Sequence, residues 1–197
     1  MGMERKGPWK QVRRMLASAP AKLRAAIDRA TMQEAQFLRT KIVEGLREQA
    51  PGGKAFAPLA ETTLAVRRFR GFRGTKALIV QGDLRNSITA VKEGGRVFVG
   101  VLRTARGRAG QPLANIAALN EYGSAPIVVR LTSKSRAFLH AAFRAAGLAQ
   151  AAAGTSIGIA VIHIRPRPFI APVFERYGAD RDAVARRFLD RVAKALG

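Results

Sequence analysis

The stretch SITAVKEGGRVFVGV at residues 87–101 decides the class of fold that this sequence predicts. Residues 87–91 and 96–101 alternate and are rich in β-branched side chains, which is typical of strands. Gly94 and Gly95 between them are typical of the tight turn of a β-hairpin. The sequence on either side has helical patterns, so the hairpin predicts a fold in which helices and antiparallel strands are segregated.

A long helix is predicted ahead of the hairpin, at about residues 19–49. Ser18 suits the N-cap and Pro20 suits the first turn, where its missing N–H costs nothing. Pro51-Gly52-Gly53 is expected to end the helix. Its side chains at steps of three or four form one mostly apolar stripe of Leu23, Ile27, Ala30, Glu34, Leu38, Ile42 and Leu46.

The remaining patterns complete the predicted domain. They indicate a helix beginning near Ala60, a helix at 113–122 ended by Gly123, a strand at 126–131, a helix capped by Ser133 or Ser135, an apolar central strand at 157–164 and an amphipathic helix at 180–196. We therefore predict an α+β fold with a mostly antiparallel sheet, flanked by the long N-terminal helix and the C-terminal amphipathic helix. Residues 1–18 are predicted to be a basic N-terminal arm and residues 19–197 a single domain.

The charge is strongly unbalanced, with 35 Lys and Arg against 13 Asp and Glu and a formal net charge of +22. Such an excess repels itself unless nucleic acid, an acidic protein surface or a membrane surface offsets it. No apolar run approaches the roughly 20 residues that cross a bilayer, so we expect no membrane partner. The residues expected to contact a polyanion or an acidic partner lie in two basic, glycine-containing loops: Arg67, Arg68, Arg70, Arg73, Lys76, Arg103, Arg106 and Arg108.

Residues that could support catalysis are scarce. The chain has no cysteine, and His140 and His163 lack the spacing of metal ligands, so no cofactor or metal is predicted. Asp83 and Glu121 are acids inside patterned segments, and turn or capping chemistry is the expected role of Asp83, with an interface salt bridge as the alternative. We predict that the protein is not an enzyme. The basic N-terminus lacks the apolar stretch of a secretory signal, so a cytoplasm-like compartment is expected.

Three short segments combine turn-forming residues with large apolar ones, at residues 82–88, 120–124 and 164–170. Their motifs are Leu-x-x-x-Gly-x-Leu-Arg-x-Ser-Ile at 78–88, Asn-x-Tyr-Gly at 120–123 and Arg-Pro-Phe at 167–169, with Val-x-Val-Gly at 97–100 between the first two. In this order they resemble the virion-morphogenesis and tail-completion proteins of tailed bacteriophages, the neck or head–tail joining family. The resemblance covers roughly residues 55–176, and residues 129–140 resemble an insertion in the Mu-like branch.

The resemblance implies a structural virion protein that forms a ring, expected to be hexameric, at the head–tail junction. It would be assembled in the host cytoplasm against phage connector or portal and tail proteins, with DNA contact as a further option. Glycines would allow tight turns, apolar residues would anchor the core, Pro168 would enforce an extended path, and arginines would make charge-assisted hydrogen bonds. The residues that carry these roles are Gly82, Leu84, Arg85, Ser87, Tyr122, Gly123, Arg167, Pro168 and Phe169.

Two alternatives stay open. The first is a basic nucleic-acid-binding protein that holds phosphates directly through its positive charge. The second is a tail-tube terminator or minor capsid protein, which differs from the leading prediction only in its partner.

Overall fold

The structure is a computed structural model that describes residues 9–196, with side chains described for residues 17–156 and 158–196. Residues 1–8 of the predicted basic arm lie outside it. Helices dominate and the strands form two small antiparallel sheets, which confirms the predicted α+β class. The elements are α1 (Trp9–Glu48), α2 (Glu61–Phe69), α3 (Asp83–Asn86), β1 (Ile88–Glu93), β2 (Arg96–Val101), α4 (Leu113–Tyr122), β3 (Ile127–Arg130), α5 (Ser133–Ala145), α6 (Ala149–Gly154), β4 (Ile159–Ile162), α7 (Ala171–Ala179) and α8 (Arg181–Leu196).

Helix α1 begins at Trp9, well before the predicted start near residue 19, and Pro20 lies inside it. The prediction took Ser18 and Pro20 as start signals. Proline fixes φ near −65°, which is a helical value, so a helix can continue through it at the cost of a backbone hydrogen bond and some distortion. Residues 9–18 of the predicted arm therefore belong to α1.

The buried face of α1 repeats every fourth residue, and it packs against α8, the β1–β2 hairpin and α7. Leu23 and Ile27 were predicted on this face but are 45% and 41% exposed, so that part of the prediction is wrong. At the N-terminal end of the helix the buried positions are instead occupied by Ala26 and Ala30. The members of the buried face are Ala26, Ala30, Glu34, Leu38, Ile42 and Leu46.

The hydrophobic core lies where the C-terminal half of α1 meets the hairpin, α3, α4 and α7. Phe169 is 0% exposed, and Ile42, Leu46 and Ile88 are also fully buried. Each such side chain stabilises the fold by about 1.5–3 kcal/mol relative to an exposed position. The core thus joins residues that are more than a hundred positions apart in the sequence.

The first sheet is the predicted hairpin, in which Ile88 pairs with Val101 and Glu93 with Arg96 across the turn at Gly94-Gly95. The second sheet pairs β3 with β4 and has no further strand among the described residues. The prediction that residues 157–164 form a central strand is wrong in that respect. An apolar run indicates burial, but periodicity alone cannot distinguish a sheet core from a surface that another molecule covers.

The connecting helices match the predictions in part. Helix α4 covers the predicted residues 113–122 and is followed by Gly123 at φ 79°. The cap of α5 is Thr132 rather than Ser133 or Ser135, and its Oγ1 accepts a hydrogen bond from the Ser135 N–H at 3.2 Å. Helix α7 was not predicted.

A buried ionic cluster fastens α1 to α7 and α8. Glu34, only 6% exposed, accepts hydrogen bonds from the Tyr177 hydroxyl at 2.9 Å and from Arg187 Nε at 2.9 Å. Arg191 Nη1 lies 2.9 Å from the same carboxylate, and the Arg187 guanidinium stacks 4.4 Å from the ring centre of Phe37. The hydrogen bond to Glu34 raises the pKa of Arg187, although burial acts in the opposite direction. One carboxylate therefore holds three helices.

We expect Glu34→Gln to lower the free energy of unfolding by about 2–3 kcal/mol, because it removes a buried charge from two arginines that stay in place. Glu44→Gln is the matched control on the same helix, since the Glu44 side chain is 42% accessible to solvent and pairs with Lys41. Loss of that exposed pair should cost about 0.5 kcal/mol or less. Urea unfolding of both variants measures the difference, and equal destabilisation would contradict the role of Glu34.

We also expect Tyr177 to titrate above its ordinary pKa of about 10. Burial raises the pKa of Tyr177, and its hydrogen bond to the Glu34 carboxylate raises it further. Since the folded pKa is above the unfolded one, the stabilisation is present below about pH 10 and is lost as the pH rises through the folded value.

The chain has two tyrosines, so tyrosinate absorbance of Tyr122→Phe follows Tyr177 alone. The shift should shrink when Glu34→Gln is added. A midpoint at or below about 10 in the folded Tyr122→Phe protein would contradict the prediction.

Candidate functional site

The second and third sequence segments lie side by side. The Ser124 N–H donates to the Ile164 carbonyl at 3.0 Å, and the Arg167 N–H donates to the Asn120 carbonyl at 2.6 Å. The Ile164 N–H also donates to the Ser124 hydroxyl at 3.2 Å. These bonds join the end of α4 to the chain that enters α7.

Glu121 completes this junction. Its carboxylate accepts backbone N–H groups from Phe169 at 2.9 Å, Ile170 at 3.1 Å and Ala171 at 2.8 Å. These N–H groups lie at the start of α7, where a helix has unpaired donors and a partial positive charge. A carboxylate in this position stabilises the helix start by about 1 kcal/mol. We call the contacts of residues 120–124 with residues 164–171 the Glu121 clamp.

Gly123 allows the clamp to close. Its φ is 79°, a conformation that favours glycine, and an added Cβ would lie 3.0 Å from both the Ile164 carbonyl oxygen and Pro166 Cδ. Tyr122 beside it is 81% exposed. Pro168 is partly buried next to the fully buried Phe169.

The first segment forms α3 and its flanks. Gly82 has φ 84° and precedes the helix, while Leu84 is buried in the core. The Ser87 hydroxyl donates to the Leu84 carbonyl at 2.7 Å, and Arg85 donates to the side-chain oxygen of Asn86 at 3.0 Å. Asp83 is not limited to turn chemistry, because it pairs with Arg108 Nε at 3.2 Å and accepts the Arg108 backbone N–H at 3.1 Å.

A cleft of about 480 Å³ brings all three segments together. Residues 82–84, Asn120 and Arg167 line it, with Arg67 and Arg70 from the end of α2. Apolar side chains form much of the remaining wall. We call this the arginine cleft, and its apolar lining includes Leu59, Phe72, Leu78, Val80, Leu113 and Ile116.

Backbone carbonyls position the arginines of the cleft. Arg67 Nη1 donates to the Lys76 carbonyl at 2.8 Å and to the Gly74 carbonyl at 3.3 Å. Arg167 Nη2 donates to the Pro58 carbonyl at 3.4 Å, and its buried Nε has no partner among the described residues. Burial lowers the pKa of Arg67, and the nearby positive charge of Arg167 lowers it further. The two guanidiniums therefore concentrate positive charge at one place.

The other predicted contact residues do not join this cleft as a group. Arg68, Arg73 and Arg103 are exposed on the helix α2 and loop surfaces. Lys76 donates to the Arg47 carbonyl at 2.6 Å, and Arg106 donates to the Arg103 carbonyl at 2.9 Å. Arg108 is held by Asp83, as described above. The predicted basic residues therefore fall into three groups: some line the cleft, some form hydrogen bonds or ion pairs within the chain, and some are exposed on α2 and the loops.

The β3–β4 ribbon, residues 127–130 and 159–162, is a second candidate surface. Val128 and Val161 pair across the strands and are each 65% exposed, and Ile159 lies on the same face. Ile127 and Ile162 on the other face are also exposed. Within the described residues neither strand pairs with a third, so each has a free edge. The Glu121 clamp lies directly at the base of this ribbon, because Ser124 and Ile164 flank its two strands.

Sequence reasoning singled out Glu121 only as a candidate catalytic acid and rejected it. Its actual contacts lie 48–50 residues further along the chain, at the start of a helix that was not predicted. Glu34 was predicted to lie on the apolar stripe, between Ala30 and Leu38. A single acid on such a buried face indicates that its carboxylate has a buried partner, because acids are almost never fully buried unless they are paired. Neither partner set could be identified without the fold.

Within residues 9–196, no cluster of His, Asp and Glu is arranged to hold a metal ion. No helix in that part of the chain is both long and apolar enough to cross a bilayer. Comparison with family models, with curated proteins and with solved structures finds no match to this chain.

We expect Gly123→Ala to destabilise the fold by more than Gly147→Ala. Both glycines have positive φ, which disfavours a side chain at each position, and Gly123 at φ 79° and ψ −174° lies in a region that is essentially restricted to glycine. Only at Gly123 would the new Cβ meet the neighbouring segment, whereas the space around Gly147 is open. Thermal or urea unfolding compares the two, and equal losses would contradict close packing of the clamp.

Proposed function

We propose that this chain is a structural subunit that assembles with copies of itself into a ring at the head–tail junction of a tailed bacteriophage. The place in the virion rests on the resemblance of the three ordered segments to tail-completion and neck proteins. Connector or portal and tail proteins are the proposed neighbours. The ring itself rests on a physical observation, the exposed β3–β4 ribbon.

The ribbon has the features of a surface that assembly covers. A two-stranded ribbon is marginally stable alone in water, and this one exposes apolar side chains on both faces. Exposed strand edges carry unpaired N–H and C=O groups that template pairing with another chain. Proteins usually protect such edges with charge or proline, but the eight residues of the two strands contain only Arg130 as a charged residue.

A second copy of the chain suits this surface. Copies that each carry a charge of +22 repel one another across most of their surfaces, so contact is least costly where charge is sparse. The free edge of β3 in one copy and the free edge of β4 in the next can pair head to tail. Such heterologous contacts form a closed ring when a whole number of rotations from one subunit to the next adds up to one full turn.

The three segments support a structural role. They supply tight turns, a buried phenylalanine and the Glu121 clamp, all of which fix the path of the backbone. In this proposal the clamp holds the base of the ribbon, so the angle between neighbouring subunits is set by the core of each one.

Direct nucleic-acid binding is the second candidate, and the exposed Arg68, Arg73 and Arg103 favour it. A protein that binds phosphates loses affinity steeply and log-linearly as salt rises. A ring held by apolar packing and strand pairing keeps its mass under the same conditions. Sedimentation at increasing salt, with and without DNA, therefore separates the two.

We expect Val128→Glu and Val161→Glu each to convert the assembled protein to monomers, because a charge cannot be buried at the contact without a partner. Thr104→Glu is the control, since it adds the same charge at an exposed loop position. Light scattering gives the mass, and circular dichroism checks that the variants fold. The wild type should also co-purify with phage tails or portal.

Two results would overturn the proposal. One is a wild-type protein that stays monomeric at all concentrations and never enters particles. The other is a Val128→Glu protein that assembles as the wild type does.

A further inference from the structure

The arginine cleft contains positive charge that the described chain does not neutralise. Neither Arg67 nor Arg167 forms an ion pair with a described carboxylate. Among the described residues, Asp83 is the one acid that lines the cleft, and it pairs with Arg108. Two guanidiniums close enough to affect each other's pKa, with no shared anion, are an unfavourable arrangement unless a ligand supplies one.

Backbone carbonyls also position both guanidiniums. Carbonyls of Gly74 and Lys76 hold one end of the Arg67 guanidinium, and the Pro58 carbonyl holds Arg167. Each guanidinium has five N–H donors, and the carbonyls of Gly74, Lys76 and Pro58 occupy only some of them, so other donors of the Nη groups remain for a ligand. Preorganised donors reduce the entropy lost on binding.

The walls of the cleft discriminate between possible anions. Leu59, Leu78 and Val80 form part of the apolar side of an open cleft of about 480 Å³, a volume that suits a few side chains. Single-stranded nucleic acid is bound by basic grooves in which several bases stack on exposed aromatic faces, whereas Phe72 is the one aromatic side chain among the described residues of this lining and is only partly exposed. A carboxylate next to an apolar side chain satisfies both parts of this cleft.

We propose that the arginine cleft binds an acidic peptide segment of a protein partner. One carboxylate of the segment forms charge-assisted hydrogen bonds with Arg67 and Arg167, and a neighbouring leucine-like side chain packs against the apolar wall. Arg70, which stacks 5.2 Å from the ring centre of Phe138, lies at the cleft as a further cation. This inference goes beyond ring formation, because the cleft is complete within one copy of the chain.

The test uses the full chain and three probes: acetyl-Leu-Glu-Leu-amide, its glutamine analogue acetyl-Leu-Gln-Leu-amide, and a twelve-residue oligothymidylate. Binding is followed by nuclear magnetic resonance at fixed salt. The acidic peptide should bind saturably, and the glutamine analogue should bind at least about tenfold more weakly, since hydrogen bonds to charged groups contribute about 1.5–3 kcal/mol. Absence of saturable binding by the acidic peptide, or equal binding of the two peptides, overturns the proposal.

Substitutions locate the site. Arg167→Gln and Arg67→Gln should each weaken the acidic peptide by about tenfold or more, whereas Arg103→Gln, an exposed position away from the cleft, should not. If Arg167→Gln or Arg67→Gln prevents folding, Arg70→Gln serves instead. Arg70 is exposed, so its substitution should leave the fold intact and still lower the affinity for the acidic peptide severalfold. Peptide binding that survives the cleft substitutions overturns the proposal.

The oligothymidylate identifies the rival occupant. If these substitutions abolish oligonucleotide binding and leave peptide binding unchanged, the cleft holds phosphate and the proposal is wrong. Since the Val128→Glu and Val161→Glu variants leave the cleft intact, loss of assembly and loss of peptide binding can be scored separately.

Discussion

Three backbone N–H groups converge on the carboxylate of Glu121, and the positions of both candidate surfaces depend on this contact. It connects the end of α4 to the start of α7 and so fixes the segment between β4 and α7. On one side of the clamp that segment leads to the β3–β4 ribbon. On the other side it places Arg167 in the cleft and Phe169 in the core.

Acids are rare in this chain, and three of them act as internal ties. Glu34 joins α1 to α7 and α8, Asp83 holds the loop that contains Arg108, and Glu121 forms the clamp. Because Lys and Arg greatly outnumber Asp and Glu, many cations could pair with each of these carboxylates, and the packing of the helices determines which of them do. Most of the described Lys and Arg side chains, on helices as well as loops, form no ion pair, so the chain presents a strongly basic surface.

Much of the fold could be predicted from local patterns. The hairpin at residues 87–101, helix α4 with Gly123 after it, and the C-terminal helix follow from alternation, helical periodicity and glycine at a helix end. The start of α1 was wrong because Pro20 is compatible with a helix interior. Helix α7 was not predicted, although Pro172 at its first turn is a residue that suits a helix start.

The candidate site could be predicted only in outline. The ordered segments identified residues that line one cleft, including Gly82, Asn120 and Arg167. Glu121 could not be assigned its role, since its partners are backbone groups of a distant helix start. The apolar run at residues 157–164 predicted a central strand, but β4 is exposed in a two-stranded ribbon among the described residues, and that difference is the basis for proposing assembly.

Amide hydrogen exchange of Glu121→Ala, compared with the wild type, tests the central claim most directly. If the clamp organises both surfaces, exchange should become faster at residues 167–171 and also along the ribbon at residues 127–130 and 159–162, while the β1–β2 hairpin and the C-terminal half of α1 keep their protection. Faster exchange confined to residues 169–171 would contradict the account, because Glu121 would then be a local helix cap and no more.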